Sequence, residues 1–192
     1  MAKAIFKPAQ ATGGPTKHET TLEPLSEEMV KDFCAWAGAR PHHYRKSIPA
    51  HLFPQWAFPY LAKNIETLPY PMQKVLNQGC QIIQNGMLPL GQPLKVFCEL
   101  VEVREEESRV RIHQKIRTGT LSQPDLLVCD LFGVVVTGTS ASKKIDQVQE
   151  AEQWETVGGW TASAHEGLSF AMLTGDFNPI HWIGPYARHF GF

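Results

Sequence analysis

The sequence is poor in the features that mark most specialised classes of protein. It has only 4 cysteines in 192 residues. Cys34, Cys80, Cys98 and Cys129 lie far apart and form no C-x-x-C pair. That excludes a zinc knuckle and a dithiol redox motif, and argues against the disulfide framework of small secreted domains. Cys98 and Cys129 sit in apolar runs and read as buried thiols in a reducing compartment. No apolar run approaches the length that spans a bilayer, and the opening MAKAIFKPAQATGG lacks the continuous apolar core and cleavage site of a secretory signal. The expectation is a soluble protein of the cytoplasm. An excess of one charge is also missing: the formal net charge is −1, which disfavours nucleic acid or an anionic membrane as the main partner.

What is present is enough apolar material for a core, with 43% hydrophobic and 10% aromatic residues. Residues 1–25 mix Gly, Pro, Thr and Lys without periodicity and read as a loose arm. Ser26-Glu27-Glu28 opens a helix, since a hydroxyl cap and two acids suit the positive end of the helix dipole. Met29, Phe33 and Trp36 give that helix its apolar stripe and Gly38 ends it. Residues 41–54 are rich in Pro and His and read as a loop. Pro54 suits the first turn of a second helix through Trp56, Tyr60 and Leu61. Pro59 inside it predicts a kink or a late start near residue 58.

Four strands follow in the sequence pattern, at 75–84, 94–104, 109–117 and 126–136. The third is the clearest, with Val110, Ile112 and Ile116 on one face and Arg109, Arg111, His113, Lys115 and Arg117 on the other. Residues Glu105 to Ser108 form a charged hairpin turn between the second and third. A buried helix followed by an antiparallel sheet, without βαβ rhythm, defines an α+β fold. The stretch 141–153 is small and polar and reads as a linker.

The two ends of the chain share a frame. Phe33-Cys-Ala-Trp-Ala-Gly38 and Phe170-Ala-Met-Leu-Thr-Gly175 both read F-x4-G, at an offset of about 137 residues. A Pro/His cluster follows each glycine. With one deletion allowed, Ala39 falls opposite Asp176 and His43 opposite His181.

Only the second copy carries an acid and a base. Gly175 permits a tight turn before Asp176, Asn178 is pushed to extended backbone by the proline after it, and Pro179 blocks helix propagation. Around such a bend Asp176 and His181 can converge on one small volume. A carboxylate and an imidazole facing one water supply the proton transfers that conjugate hydration requires. The same Gly-Asp-x-Asn-Pro string is also simply a good turn, with Asp176 capping its own backbone, and spacing alone leaves both readings open. A calcium loop fits less well, because Ile180 occupies the third ligand position.

The segment FAMLTGDFNPIHWIGPYARHFGF, residues 170–192, resembles the signature of MaoC-like (R)-specific enoyl-thioester hydratases and acyl dehydratases. The resemblance rests on GD-x-NPIH, on Tyr186-Ala187-Arg188 and on the closing Gly191-Phe192. More weakly, it extends over the FPQWAFPYL helix and the Leu88-Pro-Leu-Gly91 turn, so that it spans about residues 26–192. It implies a hotdog fold, a long helix wrapped by a curved antiparallel sheet, in a two-hotdog arrangement. A degenerate first hotdog would occupy 26–140, and the start of a second, motif-bearing one 154–192, with the chain stopping at Phe192 before the body of that second copy.

The same resemblance implies that Asp176 and His181 hold a catalytic water, with Asn178, Gly175 and Tyr186 as binding or loop-orienting residues. The substrate would be an acyl thioester on coenzyme A or an acyl carrier protein, and no cofactor or metal is implied. The assembly would be a homo-oligomer or a pair with a complementing hotdog chain. Ile183 and Gly184 depart from the pattern, standing where many members have an acid and a proline. The competing expectation is a non-catalytic hotdog subunit that binds acyl thioesters or serves a structural role, and a thioesterase is a third.

Among other residues, the basic face of the third strand could meet coenzyme A phosphates, but a solvated face balanced by neighbouring acids is the simpler expectation. His42, His43 and His51 read as loop histidines, Trp56, Phe58 and Tyr60 as core, and His165-Glu166 as a local helix cap.

Overall fold

The computed structural model describes residues 16–40, 42–138, 158–161, 163 and 165–189. Seven strands and four α-helices follow in the order β1 (Lys17–Leu22), α1 (Glu27–Trp36), β2 (Ser47–Ile48), α2 (Pro54–Glu66), β3 (Val75–Gln84), β4 (Leu88–Pro89), β5 (Leu94–Glu106), β6 (Arg109–Gly119), β7 (Leu127–Val136), α3 (Glu166–Thr174) and α4 (Gly184–His189). The main sheet is antiparallel throughout, in the order β1-β5-β6-β7-β3, and β2 pairs with β4 in a separate two-stranded ladder.

Alternation builds the core. Leu94, Val96, Cys98 and Leu100 of β5 and Val110, Ile112 and Ile116 of β6 point inward and are buried. They meet the face of α2 that carries Ala57, Leu61 and Ile65, four apart on the helix, with Trp56 beside Ala57. Each fully buried side chain of this size contributes about 1.5–3 kcal/mol over leaving it exposed. Extra residues at 101 and 78 shift the register within β5 and β3, and such bulges bend a sheet around what it covers. A helix held against a bent antiparallel sheet is the α+β hotdog arrangement that the resemblance implies.

Polar groups inside are paired across the same interface. Trp56 Nε1 donates to Thr118 Oγ1 at 3.1 Å, and Asn64 Nδ2 donates to Gln114 Oε1 at 2.9 Å. Burial pushes the Cys98 thiol up to about 11 and the Cys129 thiol up to about 12, so both remain protonated near neutrality.

Three expectations need correction. The segment read as a loose arm contains β1, whose Lys17–Leu22 pairs with Glu99–Leu94. The sequence KHETTL is polar on both faces, and the strand forms because it lies along the edge of β5. Next, α2 starts with Pro54 in its first turn, as that proline suggests, and the late start near residue 58 offered by Pro59 does not occur, since Pro59 is accommodated inside. Finally, the hairpin turn is shorter than Glu105–Ser108, because β5 runs to Glu106. The linker at 141–153, residues 1–15 and Phe192 lie outside the described residues. Among those described, no helix is long and apolar enough to cross a membrane.

At the far edge of the sheet, β3 has only β7 as a strand neighbour among the described residues. Nine of its ten residues are exposed, among them Leu76, Ile82 and Ile83.

Candidate active site

The second F-x4-G copy forms α3, and Gly175 closes it in the left-handed region at φ 76°, where a side chain would be strained. The first copy forms α1, which is capped by Ser26 through Met29 N–H and is followed by Gly38 at φ 71°. The two copies therefore share a local structure, and α1 and α3 pack against each other.

Beyond Gly175 the chain bends through a network of short side-chain contacts. Asp176 Oδ1 accepts from Asn178 N–H at 3.1 Å, and Asn178 Oδ1 accepts from Ile180 N–H at 3.3 Å. Asn178 thereby caps a single 3-10 turn, Pro179–His181. Thr174, buried at the end of α3, donates its hydroxyl to Phe170 O at 2.7 Å and accepts from Asp176 N–H at 3.4 Å. The turn reading of this sequence is thus physically real, and it does not compete with the other one. The bend brings His181 Nε2 to 3.3 Å from Asp176 Oδ2. That is the long limit of a hydrogen bond.

Both side chains reach solvent, His181 at 39% and Asp176 at 24% exposure, so a water or a small polar substrate can touch them together. Phe170 meets the His181 ring edge-on with centroids 5.9 Å apart, the chain neighbours Phe177 and Trp182 are exposed, and Met172 on α3 is exposed as well. Gly167 matters by what it lacks: a methyl there would collide with the His181 carbonyl oxygen. Gly175 rests against Gln55 at the start of α2, so the bend is seated on the body of the fold. Tyr186 is half-buried on α4, the helix that packs against the 3-10 turn.

Several residues escaped the sequence pattern. Trp36 Nε1 donates to Glu166 Oε2 at 2.6 Å across a separation of 130 residues, and Trp36 also meets the ring of Phe170 at 6.1 Å. Glu166 is therefore a cross-link between α1 and α3, and His165 makes no capping bond with its side chain. The register of the repeat also changes in space. His43 is exposed and meets the ring of His42, whereas His51, in its own 3-10 turn, lies 5.2 Å from Phe33 much as His181 lies against Phe170.

The basic face of β6 is balanced by carboxylates. Arg109 and Arg111 bond Glu106 at 2.5 and 2.8 Å, His113 and Lys115 share Asp130 at 2.6 and 3.4 Å, and Arg117 reaches Asp125 at 3.1 Å. Glu99, on β5, faces Lys17 of β1 at 3.6 Å. Among the described residues no three His, Cys, Asp or Glu side chains are placed to hold a metal ion.

No protein-family model and no curated protein matches the sequence. Solved structures do match. HtdX of Mycobacterium tuberculosis superposes with a TM-score of 0.70 at 17% identity, over 91% of this chain and 68% of its own. A MaoC-like dehydratase gives 0.65 at 16% identity, over 89% and 69%. The HadBC (3R)-hydroxyacyl-ACP dehydratase complex from Mycobacterium tuberculosis gives 0.54 at 7% identity, over 66% of this chain and 98% of that one. The fold of the chain is that of the MaoC-like hotdog proteins.

Proposed function

We infer that the chain is the motif-bearing part of an acyl-thioester hydro-lyase. It would add water reversibly to a trans-2-enoyl thioester to give the (R)-3-hydroxyacyl thioester, or run the dehydration. The observation that carries this reading is the approach of Asp176 to His181 around the Gly175–Pro179 bend. One of the pair removes a proton from water as the water oxygen bonds to Cβ, and a proton is delivered to Cα as the double bond is consumed. Asn178 and Gly175 serve this chemistry by fixing the bend, and Tyr186 would support the turn from α4. Fold likeness to MaoC-like dehydratases supports the reading as analogy.

The reading includes a partner. A second hotdog body, from a second copy or a separate subunit, would pair with the bare edge of β3 and cover Met172, Phe177 and Trp182. On the same reading, residues 26–140 are the degenerate hotdog and 154–192 the start of the motif-bearing one. The HadBC neighbour is itself a complex.

The test is hydration of a crotonyl thioester, on coenzyme A and on a carrier protein, by the chain assembled with whatever completes it. Asp176→Asn and His181→Gln are each expected to lower kcat by about 10²–10⁴-fold. Wild-type turnover no faster than Asp176→Asn would sink the reading. A rival, the non-catalytic acyl-binding subunit, draws on the apolar side chains exposed beside the motif, which could hold an acyl chain without turning it over. Thioester binding with no difference in turnover between wild type and Asp176→Asn would favour it.

A further inference from the structure

We propose that Trp36, on the first F-x4-G helix, is a positioning residue for His181 and acts through the ring of Phe170. This rests on the hydro-lyase reading for its purpose, though not for its geometry. The Asp176 carboxylate approaches His181 only at the long limit of a hydrogen bond, so it does not by itself fix the plane of a part-exposed imidazole. Phe170 does, meeting the imidazole edge-on at 5.9 Å with 71° between the planes, the arrangement an aromatic quadrupole favours. The backbone of His181 is held from another side, where its carbonyl seats on Gly167.

Phe170 is in turn placed from outside its own segment. The Trp36 ring lies 6.1 Å from it, and Trp36 is pinned by the 2.6 Å bond from its indole N–H to Glu166 Oε2. The other oxygen of Glu166 accepts from Ser163 Oγ at 3.1 Å. Glu166 and Phe170 are one helical turn apart on α3, so two successive turns of the motif helix are indexed to one side chain of α1. Phe170 touches the imidazole directly. Among the described residues no hydrogen bond or ring contact joins Trp36 to His181 or Asp176, which makes it a positioning residue in a copy of the repeat that lacks its own acid. The repeat thus leaves the first copy a task in the chemistry of the second.

Trp36→Ala, Trp36→Phe and Phe170→Leu test this in the full chain with any completing partner. His181 is followed through its labelled ring resonances, identified by their loss in His181→Gln, alongside kcat and KM for a crotonyl thioester. Trp36→Ala is expected to shift the His181 ring resonances and to lower kcat about tenfold, within the effect of a small misplacement of a catalytic group, with KM little changed. Phe170→Leu should do the same. Trp36→Phe, which keeps an aromatic face toward Phe170 but loses the indole N–H that pins it, should fall between Trp36→Ala and wild type on both signals. A purely structural role would lower the melting temperature while leaving the His181 resonances and the kcat of folded protein as in wild type, and that result overturns the proposal. If Trp36→Ala does not fold, Trp36→Phe and Phe170→Leu are decided by the same two readouts. If the wild type proves inactive, the hydro-lyase reading fails, and the resonances alone decide whether Trp36 sets the imidazole.

Discussion

Gly167→Ala sets two effects of opposite sign against each other. Gly167 is the second residue of α3, in helical conformation, and alanine in a helix is favoured over glycine by at most about 1 kcal/mol. Propensity alone would therefore make the variant more stable. The added methyl, however, would fall on the carbonyl oxygen of His181, a backbone atom that cannot rotate away. Relief requires α3 and the 3-10 turn to part, and forced overpacking of this kind costs about 1–3 kcal/mol. The net change in stability is then a loss of up to about 2 kcal/mol, small enough to leave the protein folded at room temperature.

On the hydro-lyase reading the effect on chemistry is larger, because a displacement of about 1 Å between Asp176 and His181 would then be worth about 10²-fold in kcat. The assay is crotonyl-thioester hydration beside a melting curve, with Gly184→Ala as the control, because a methyl at Gly184 meets nothing within 4 Å. A Gly167→Ala protein with raised melting temperature and wild-type kcat would refute the claim that this close approach sets the His181 turn.

Two further outcomes follow from the backbone and the thiols. Gly175→Ala forces a side chain into the left-handed region at φ 76°, and urea midpoints should report a loss of about 1–2 kcal/mol. A midpoint unchanged from wild type would mean that the turn has rearranged. Cys98 and Cys129 are held as thiols by burial, with values raised from 9.0 to about 11 and about 12. Between pH 9 and 11 the unfolded chain has lost those protons while the folded one keeps them, so stability is whole below about 9 and falls as the pH rises. Urea midpoints across that range check the sign, and Cys129→Ala should flatten the slope. Iodoacetamide at neutral pH should label exposed Cys80 first.

The readable parts of the sequence were those where one physical signal acted alone. In β6, Val110 and Ile112 alternate with Arg109, Arg111 and His113, so the strand and its two faces were legible without any knowledge of its neighbours. The bend at 175–181 was legible because Gly175, Asn178 and Pro179 each restrict the backbone locally. By contrast, β1 has no apolar face of its own, and its strand state comes from the edge of β5. The start of α2 is legible from Pro54, whereas Pro59 argues locally against a helix that buried Trp56, Ala57 and Leu61 hold in place. Trp36 and Glu166 are separated by 130 residues, and neither has a local pattern that names the other. The repeat pointed to two related helices, but not to their packing against each other.

The margin of β3 has a practical consequence at the bench. Its sequence VLNQGCQIIQ contains no proline and no charged residue, the usual guards of an open strand. A preparation of this polypeptide by itself should therefore grow stickier as it is concentrated, as unsatisfied amides along that rim recruit whatever extended chain they meet. Co-expression with a hotdog partner of the kind proposed should keep it in solution, which makes recovery at high concentration a simple screen for one.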